Sequence, residues 1–199
     1  MILPKILFRY SWPYDDSYRN SPRIQKFLEK KGEKYPSQNK IESYIKRAEP
    51  IYRKQEKRIL NVLSKISGLE WKAKEIKCYV IGMGRPFSDP LTLHICKNYN
   101  DFIDTLTHEL IHQLQMQNIR NMKKWWRYVN KKYKKEPQLT KNHILLHAIH
   151  AKLISTFYGE NNLEKRLQIP PHGEYKRSWE IVQREGYKKI IYEFKKRLK

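Results

Sequence analysis

Apolar positions recur at helical spacing along most of the chain. One apolar series covers residues 41–48 and is interrupted by Pro50, and a second covers residues 59–66 and stops at Gly68. A repeat of three to four residues places such side chains on one face of an α-helix, and proline and glycine interrupt helices. The pattern therefore predicts two helices, or one kinked helix, in this part of the chain.

Two short runs rich in apolar residues differ from this pattern. Residues 76–82 and 91–96 flank the proline-containing turn RPFSDP. Such runs are typical of β-strands, and in the second one leucine and isoleucine alternate with threonine, histidine and cysteine, so that one face is expected in the core and the other is expected to be polar. We predict a small β-sheet or hairpin here.

The second half of the chain is predicted to be helical. Asn100 or Asp101 can cap a helix over 101–118, and a further apolar helix begins at Thr140 and ends at Gly159. The segments 120–135 and 175–199 are amphipathic and are expected to form helices as well. The opening residues 1–36 carry several prolines and aromatics and are interpreted as an arm over the core, with a short helix near 23–31.

Composition supports one folded domain. The chain of 199 residues is 39% hydrophobic, which excludes disordered and fibrous proteins, and it has no repeat or low-complexity linker. Cys78 and Cys96 do not fit a disulfide framework or a metal knuckle. They could pair with each other across the two strands, but we expect them to be small buried residues of a cytoplasmic protein. No apolar stretch approaches the roughly 20 residues of a membrane span, so we expect no membrane partner. We predict an α+β, mainly helical domain over 1–199.

The predicted helix over 101–118 contains the sequence His108-Glu109-Leu110-Ile111-His112, an HExxH motif. A helix returns to the same face after about 3.6 residues, so His108 and His112 project together and can bind one Zn²⁺. Glu109 lies about 100° around the helix and can reach a water molecule beside the metal. This spacing indicates a catalytic zinc site, with His108 and His112 as ligands and Glu109 as general base.

A second helix offers three more imidazoles. His143, His147 and His150 are spaced i, i+4 and i+7, so they share one face. A catalytic zinc site has three protein ligands, so one of these residues is expected to complete it. His143 and His147 are the two alternatives: one would bind the metal and the other would orient a ligand or contact the substrate.

With these residues the sequence resembles the zincin metallopeptidases over about 76–159, the expected metal-site core. The layout of strand, HExxH helix and second ligand helix is similar to the gluzincin branch, whose third ligand is a glutamate. Here Asn142-His143, with His147 four residues later, stands in the corresponding place, so histidine would replace that glutamate. The resemblance implies a zincin-like fold, a bound Zn²⁺ and hydrolysis of a peptide or protein substrate. Tyr or His side chains commonly hold the oxyanion in such sites; Tyr158, Tyr175, His172 and His147 are the candidates.

The excess of basic residues indicates a second class of function, nucleic-acid binding. The net charge is +22, and basic residues are interleaved with aromatics in residues 119–135. Such a segment suits nucleic acid, but Trp125, Val129 and Tyr133 have helical spacing and are predicted to pack in the core. The alternative to a peptidase is a nucleic-acid-binding protein with a structural or inactive zinc site, or a protease recruited to DNA. The latter possibility has a weaker resemblance, to the SprT-like proteases.

Overall fold

The computed structural model of the chain describes residues 2–168 and 175–198, and it is mainly helical with one small sheet. The helices are α1 (Trp12–Arg19), α2 (Pro22–Lys31), α3 (Gln38–Arg53), α4 (Glu56–Ser67), α5 (Tyr99–Gln117), α6 (Lys123–Lys132), α7 (Gln138–Tyr158), α8 (Glu160–Gln168), α9 (Lys176–Glu185) and α10 (Tyr187–Lys195). The strands are β1 (Lys5–Arg9), β2 (Glu75–Ile81), β3 (Phe87–Ser88) and β4 (Leu91–His94), and a short 3-10 helix covers Ile119–Met122. The predicted α+β class is confirmed.

The sheet has the strand order β1-β2-β4-β3 and is mixed. The two predicted strands do pair, but as parallel neighbours, with Tyr79 of β2 opposite Thr92 of β4. A hairpin between them is therefore wrong. The physical reason is β3, which forms an antiparallel pair with β4 and occupies one of its edges, so that β2 takes the other. Leu91 and Leu93 are in the core as expected, and on the face expected to be polar Thr92 is fully buried.

The first strand was not expected. Residues 1–36 were interpreted as an arm, but they contain β1, which pairs parallel to β2 with Ile6 opposite Ile76, followed by α1 and α2. Ile6 is the one fully buried side chain of β1, so the strand leaves almost no alternating pattern in the sequence. The short helix expected near 23–31 is present as α2.

A buried carboxylate fixes α1 against the end of β2. Asp15 is 1% exposed and accepts hydrogen bonds from the Tyr35 hydroxyl at 2.7 Å and from the backbone N–H of Gly82 at 2.9 Å. Arg19 and the Tyr10 hydroxyl donate to its other oxygen, at 3.1 Å and 3.3 Å. A buried charge is tolerated only when it is paired and hydrogen-bonded, so these four partners explain how Asp15 lies in the interior.

Two helix boundaries differ from prediction in the first half of the chain. Helix α3 continues through Pro50 to Arg53 instead of breaking at the proline. Proline removes one backbone hydrogen bond, but Ala48 and Tyr52 on either side of it are buried, and this packing holds the last turn. Helix α5 is capped by Asn98 instead of Asn100 or Asp101, because the Asn98 side chain accepts the N–H of Asn100 at 2.7 Å.

In the second half of the chain Gly159 ends a helix as expected, but the prediction of a single helix over 175–199 is wrong. Gly159 has a φ of +84° and ends α7, which begins two residues before the expected Thr140. The segment 175–199 is divided into α9 and α10 at Gly186, whose φ of +82° interrupts the helix. Positive φ is accessible to glycine at low cost, so both breaks are determined locally.

The described chain divides into two compact units. The first comprises Met1–Leu60 with Trp71–Gln113 and contains the sheet, and the second comprises Asn61–Glu70 with Leu114–Lys199. In the second unit α7 packs on α8, α9 and α10. Trp125 lies edge-on to Phe194, with ring centroids 5.4 Å apart. Trp125, Val129 and Tyr133 are all buried, so the prediction that they are core residues is confirmed.

Both cysteines are free thiols. Cys78 is fully buried in β2, as expected for a small core residue, and Cys96 is half-buried.

Among the described residues, every helix is too short or too polar to cross a lipid bilayer.

Candidate metal centre

Helix α5 brings the two histidines of the HExxH motif together. The ring centroids of His108 and His112 are 5.3 Å apart, and both side chains are half-buried. The apolar stripe of the helix faces the interior, because its members are completely buried: Leu106, Leu110 and Leu114. The helix is thus held by its leucines, while the imidazoles stay accessible to a ligand.

The Glu109 carboxyl group lies in an apolar environment. Its side chain is 7% exposed, and burial raises its pKa to about 7. Burial raises the pKa of the Cys78 thiol, and the nearby charge of Glu109 raises it further. A carboxyl group whose pKa lies near neutrality can both accept and return a proton, which is the property that a general base with a second role as acid requires.

One ring nitrogen of His143 forms a hydrogen bond with the backbone. Its Nδ1 lies 2.8 Å from the carbonyl oxygen of Leu139, one turn earlier on α7. A carbonyl oxygen can only accept, so Nδ1 carries the hydrogen and the lone pair is on Nε2. The side chain is 5% exposed, and burial lowers its pKa, with the hydrogen bond to Leu139 acting in the opposite direction. In His143 the nitrogen with the lone pair is therefore Nε2, and a lone pair of this kind is what an imidazole offers to a metal.

His147 is held by helix α9 in a different way. Its Nδ1 lies 2.9 Å from the Ser178 hydroxyl oxygen, and that hydroxyl donates its single hydrogen to the carbonyl oxygen of Tyr175 at 2.8 Å. Ser178 must then accept from Nδ1 of His147. The His147 ring also stacks on Trp179, with centroids 4.3 Å apart and planes at 13°. The ring is oriented by contacts on both its edge and its face.

Three of the predicted ligands are close together. Nitrogen atoms of His108, His112 and His143 all lie within 4.8 Å of one another, and no other group of three or more His, Cys, Asp or Glu side chains is so placed in the part of the chain that the structure describes. Zn–N bonds of about 2.0–2.1 Å in a tetrahedral site bring such nitrogens to roughly 3.4 Å, so small side-chain rotations suffice. His147, the alternative third ligand, is outside this group.

The candidates for oxyanion contact are in different surroundings. Tyr175 lies against the histidine stripe, with its ring centroid 4.6 Å from that of His143 and 6.0 Å from that of His147. Tyr158 is 58% exposed and follows His143 by fifteen residues, or about 22 Å along the helix axis. His172 lies outside the described residues. Of these residues, Tyr175 and His147 adjoin the proposed third ligand.

Sequence reasoning missed Ser178, the serine that accepts a hydrogen bond from His147. Ser178 lies in the first turn of α9 and is completely buried. A serine in an amphipathic helix has no distinguishing pattern.

Comparison with protein-family models, with curated proteins and with solved structures finds no significant match to this chain.

Proposed function

We propose that the chain is a zinc-dependent metallopeptidase in which His108, His112 and His143 bind the metal. The observation that carries the proposal is the convergence of three imidazole nitrogens beside Glu109, the residue that follows the first ligand on α5. Three neutral nitrogen ligands with a fourth position open are the donor set of a catalytic zinc site. The resemblance of the motif to zincins supports the same interpretation.

His143 is proposed as the third ligand and His147 as its neighbour. Nδ1 of His143 is bound to a backbone carbonyl, which fixes the ring and leaves Nε2 for the metal, as metal-ligating histidines usually require. His147 lies one turn further along α7, and its ring is oriented by Ser178 and Trp179 of α9. Its Nε2 can accept a hydrogen bond from the site or from a substrate.

Glu109 is the proposed general base. Bound zinc supplies a Lewis acid that polarises the peptide carbonyl and makes water more acidic. The Glu109 carboxylate takes the proton of the attacking water and delivers it to the nitrogen of the leaving amine, so the same oxygen serves as base and then as acid. The Tyr175 hydroxyl is the proposed donor to the carbonyl oxygen of the substrate, where negative charge develops.

The proposed substrate is a peptide or an unfolded protein, and the proposed compartment is the cytoplasm. The two cysteines are free thiols, which is the usual state in a reducing compartment.

Metal analysis and one substitution test the proposal. Protein purified without added metal is expected to contain one zinc per chain and to hydrolyse an unfolded casein substrate. Glu109→Gln is expected to keep the zinc and lose hydrolysis, while the exposed control Glu29→Gln is expected to keep both. A native protein that takes up no zinc, or a Glu109→Gln variant with full activity, would contradict the proposal.

A further inference from the structure

Helix α6 and the 3-10 helix before it form a pocket that the proposed peptidase does not use. The pocket is about 450 Å³ in volume and is lined by Ile119, Arg120, Lys123, Trp126 and Arg127. Three of its five side chains are cationic, and the other two are an indole and a branched aliphatic group. All five residues belong to the second compact unit.

Two adjacent tryptophans of α6 differ in burial. Trp125 is 1% exposed and packs against Phe194, whereas Trp126 is half-buried and lines the pocket. Consecutive residues are about 100° apart on a helix, so the two indoles project in different directions from α6. Ile119, which is 53% exposed, adds a second apolar surface beside the Trp126 indole. The pocket therefore combines an apolar wall with a partly accessible aromatic ring.

The charge around this ring has a single sign. Residues 118–135 contain eight lysines and arginines and no aspartate or glutamate. Within the described parts of the chain, the three cations that line the pocket form no ion pair, whereas Lys132, on the same helix, is paired with Glu185. Three unneutralised cations around an aromatic ring are complementary to a ligand that carries phosphates beside flat rings.

We propose that the Trp126 pocket binds single-stranded nucleic acid, with a base stacked on the indole and phosphates on Arg120, Lys123 and Arg127. A single strand fits better than a duplex because duplex bases are already stacked and hide their faces. A lipid surface fits less well because the apolar side of α6 is in the core, where Met122, Trp125 and Val129 are buried. The site is separate in sequence from the zinc ligands and does not depend on the peptidase proposal.

Fluorescence anisotropy with a labelled dT15 oligonucleotide tests the proposal through its charges. The triple variant Arg120→Gln, Lys123→Gln, Arg127→Gln is expected to bind about tenfold or more weakly at 100 mM KCl, and the slope of log K against log salt is expected to fall by about 2. The matched control Lys26→Gln, Lys30→Gln, Lys31→Gln removes the same charge from exposed positions of α2 and is expected to change affinity about twofold or less. Equal losses in the two triple variants would overturn the proposal, since binding would then follow net charge alone.

The same assay tests stacking. Trp126→Ala is expected to weaken dT15 binding about fivefold or more, because the stacking surface is lost. Trp126→Phe is expected to keep most of the wild-type affinity, and the exposed control Trp12→Ala is expected to have no effect. Wild-type affinity in Trp126→Ala would overturn the proposal, as would equally strong, pocket-dependent binding of a dT15·dA15 duplex or of vesicles that contain phosphatidylserine. The zinc-site variant Glu109→Gln is expected to bind dT15 as the wild type does, so failure of either proposal is distinguishable from failure of the other.

Discussion

The Ser178 hydroxyl accepts a hydrogen bond from Nδ1 of His147, because its own hydrogen is donated to the Tyr175 carbonyl oxygen. A side chain on α9 thereby selects which nitrogen of an imidazole on α7 carries the hydrogen. The Nδ1 hydrogen of His147 is thus fixed from a second helix, whereas that of His143 is fixed within α7, since its acceptor is Leu139.

Ser178→Ala is expected to disturb His147 and leave His143 unchanged. The substitution leaves a buried N–H without an acceptor, which costs about 1–3 kcal/mol. For a chain of this size each kcal/mol lowers the Tm by about 2–4 °C. Long-range ¹H–¹⁵N spectra of the imidazoles report the tautomers directly, with His143 as the internal reference. An unchanged His147 pattern in the variant would show that Ser178 does not select its tautomer.

The two candidates for third ligand are separated by alanine substitution. His143→Ala is expected to lose zinc at stoichiometric concentration, because only two histidine ligands would remain. His147→Ala is expected to retain one zinc per chain with affinity or activity lowered by about 10–100-fold, as for a residue that acts through a ligand. Zinc content by mass spectrometry, with circular dichroism to confirm folding, distinguishes the two. The opposite result would assign the ligand role to His147.

Asp15 is expected to matter far more to stability than its neighbour Asp16. Asp15→Ala removes the shared acceptor of Tyr35 and Gly82 in the interior and is expected to lower the free energy of unfolding by about 3–5 kcal/mol. Asp16→Ala removes the same charge from a side chain that accepts an exposed hydrogen bond from the Asn20 amide, and a change within about 0.5 kcal/mol is expected. Thermal unfolding followed by circular dichroism compares the pair, and equal effects would contradict the role of the buried network.

Glu185 is expected to make stability depend on pH in the acid range. Burial alone would raise its pKa, but hydrogen bonds from Lys132 and Tyr133 outweigh burial and hold the pKa below its usual range. An acid with a lowered pKa contributes stability above its unfolded pKa, and this contribution is lost as the pH falls through the folded value. Glu185→Gln is therefore expected to be about 1 kcal/mol less stable than wild type at pH 7.

That difference is expected to disappear as the pH falls below the folded pKa of Glu185, where the wild-type residue is also neutral. Thermal unfolding at pH 7 and at successively lower pH measures the difference. Glu180→Gln on the same helix α9 is the exposed control, and its effect is expected to stay small throughout. A constant gap between Glu185→Gln and wild type across this range would contradict the ionic role.

Local sequence patterns predicted the helices, but parts of the sheet were missed because their strands pair with segments distant in sequence. The stripe Leu106, Leu110 and Leu114 is readable because a helix is stabilised by residues three and four apart. Strand β1 was missed because Ile6 is its one fully buried residue and its partner β2 lies about 70 residues later. The parallel pairing of β2 and β4 was missed because it depends on which edge β3 occupies.

The candidate site was also predictable only in part from the sequence. Spacing alone put His108, Glu109 and His112 on one turn and placed His143 and His147 on one face. The contacts of Tyr175 and Ser178 with those histidines were not predictable, because they arise from the packing of the start of α9 against α7. Helical spacing placed Trp125 in the core, but it did not predict the pocket at Trp126, because that pocket also needs Ile119 and Arg120 of the preceding 3-10 helix beside the indole.

The parallel pairing of β1 with β2 affects the order in which the chain can fold during synthesis. β1 leaves the ribosome before its partner β2, which is translated roughly 4–14 s later at about 5–20 residues per second. For that interval the backbone donors and acceptors of β1 have no strand to pair with. A nascent-chain binder that recognises extended apolar segments would therefore have its best opportunity at residues 5–9, before the sheet can close over them.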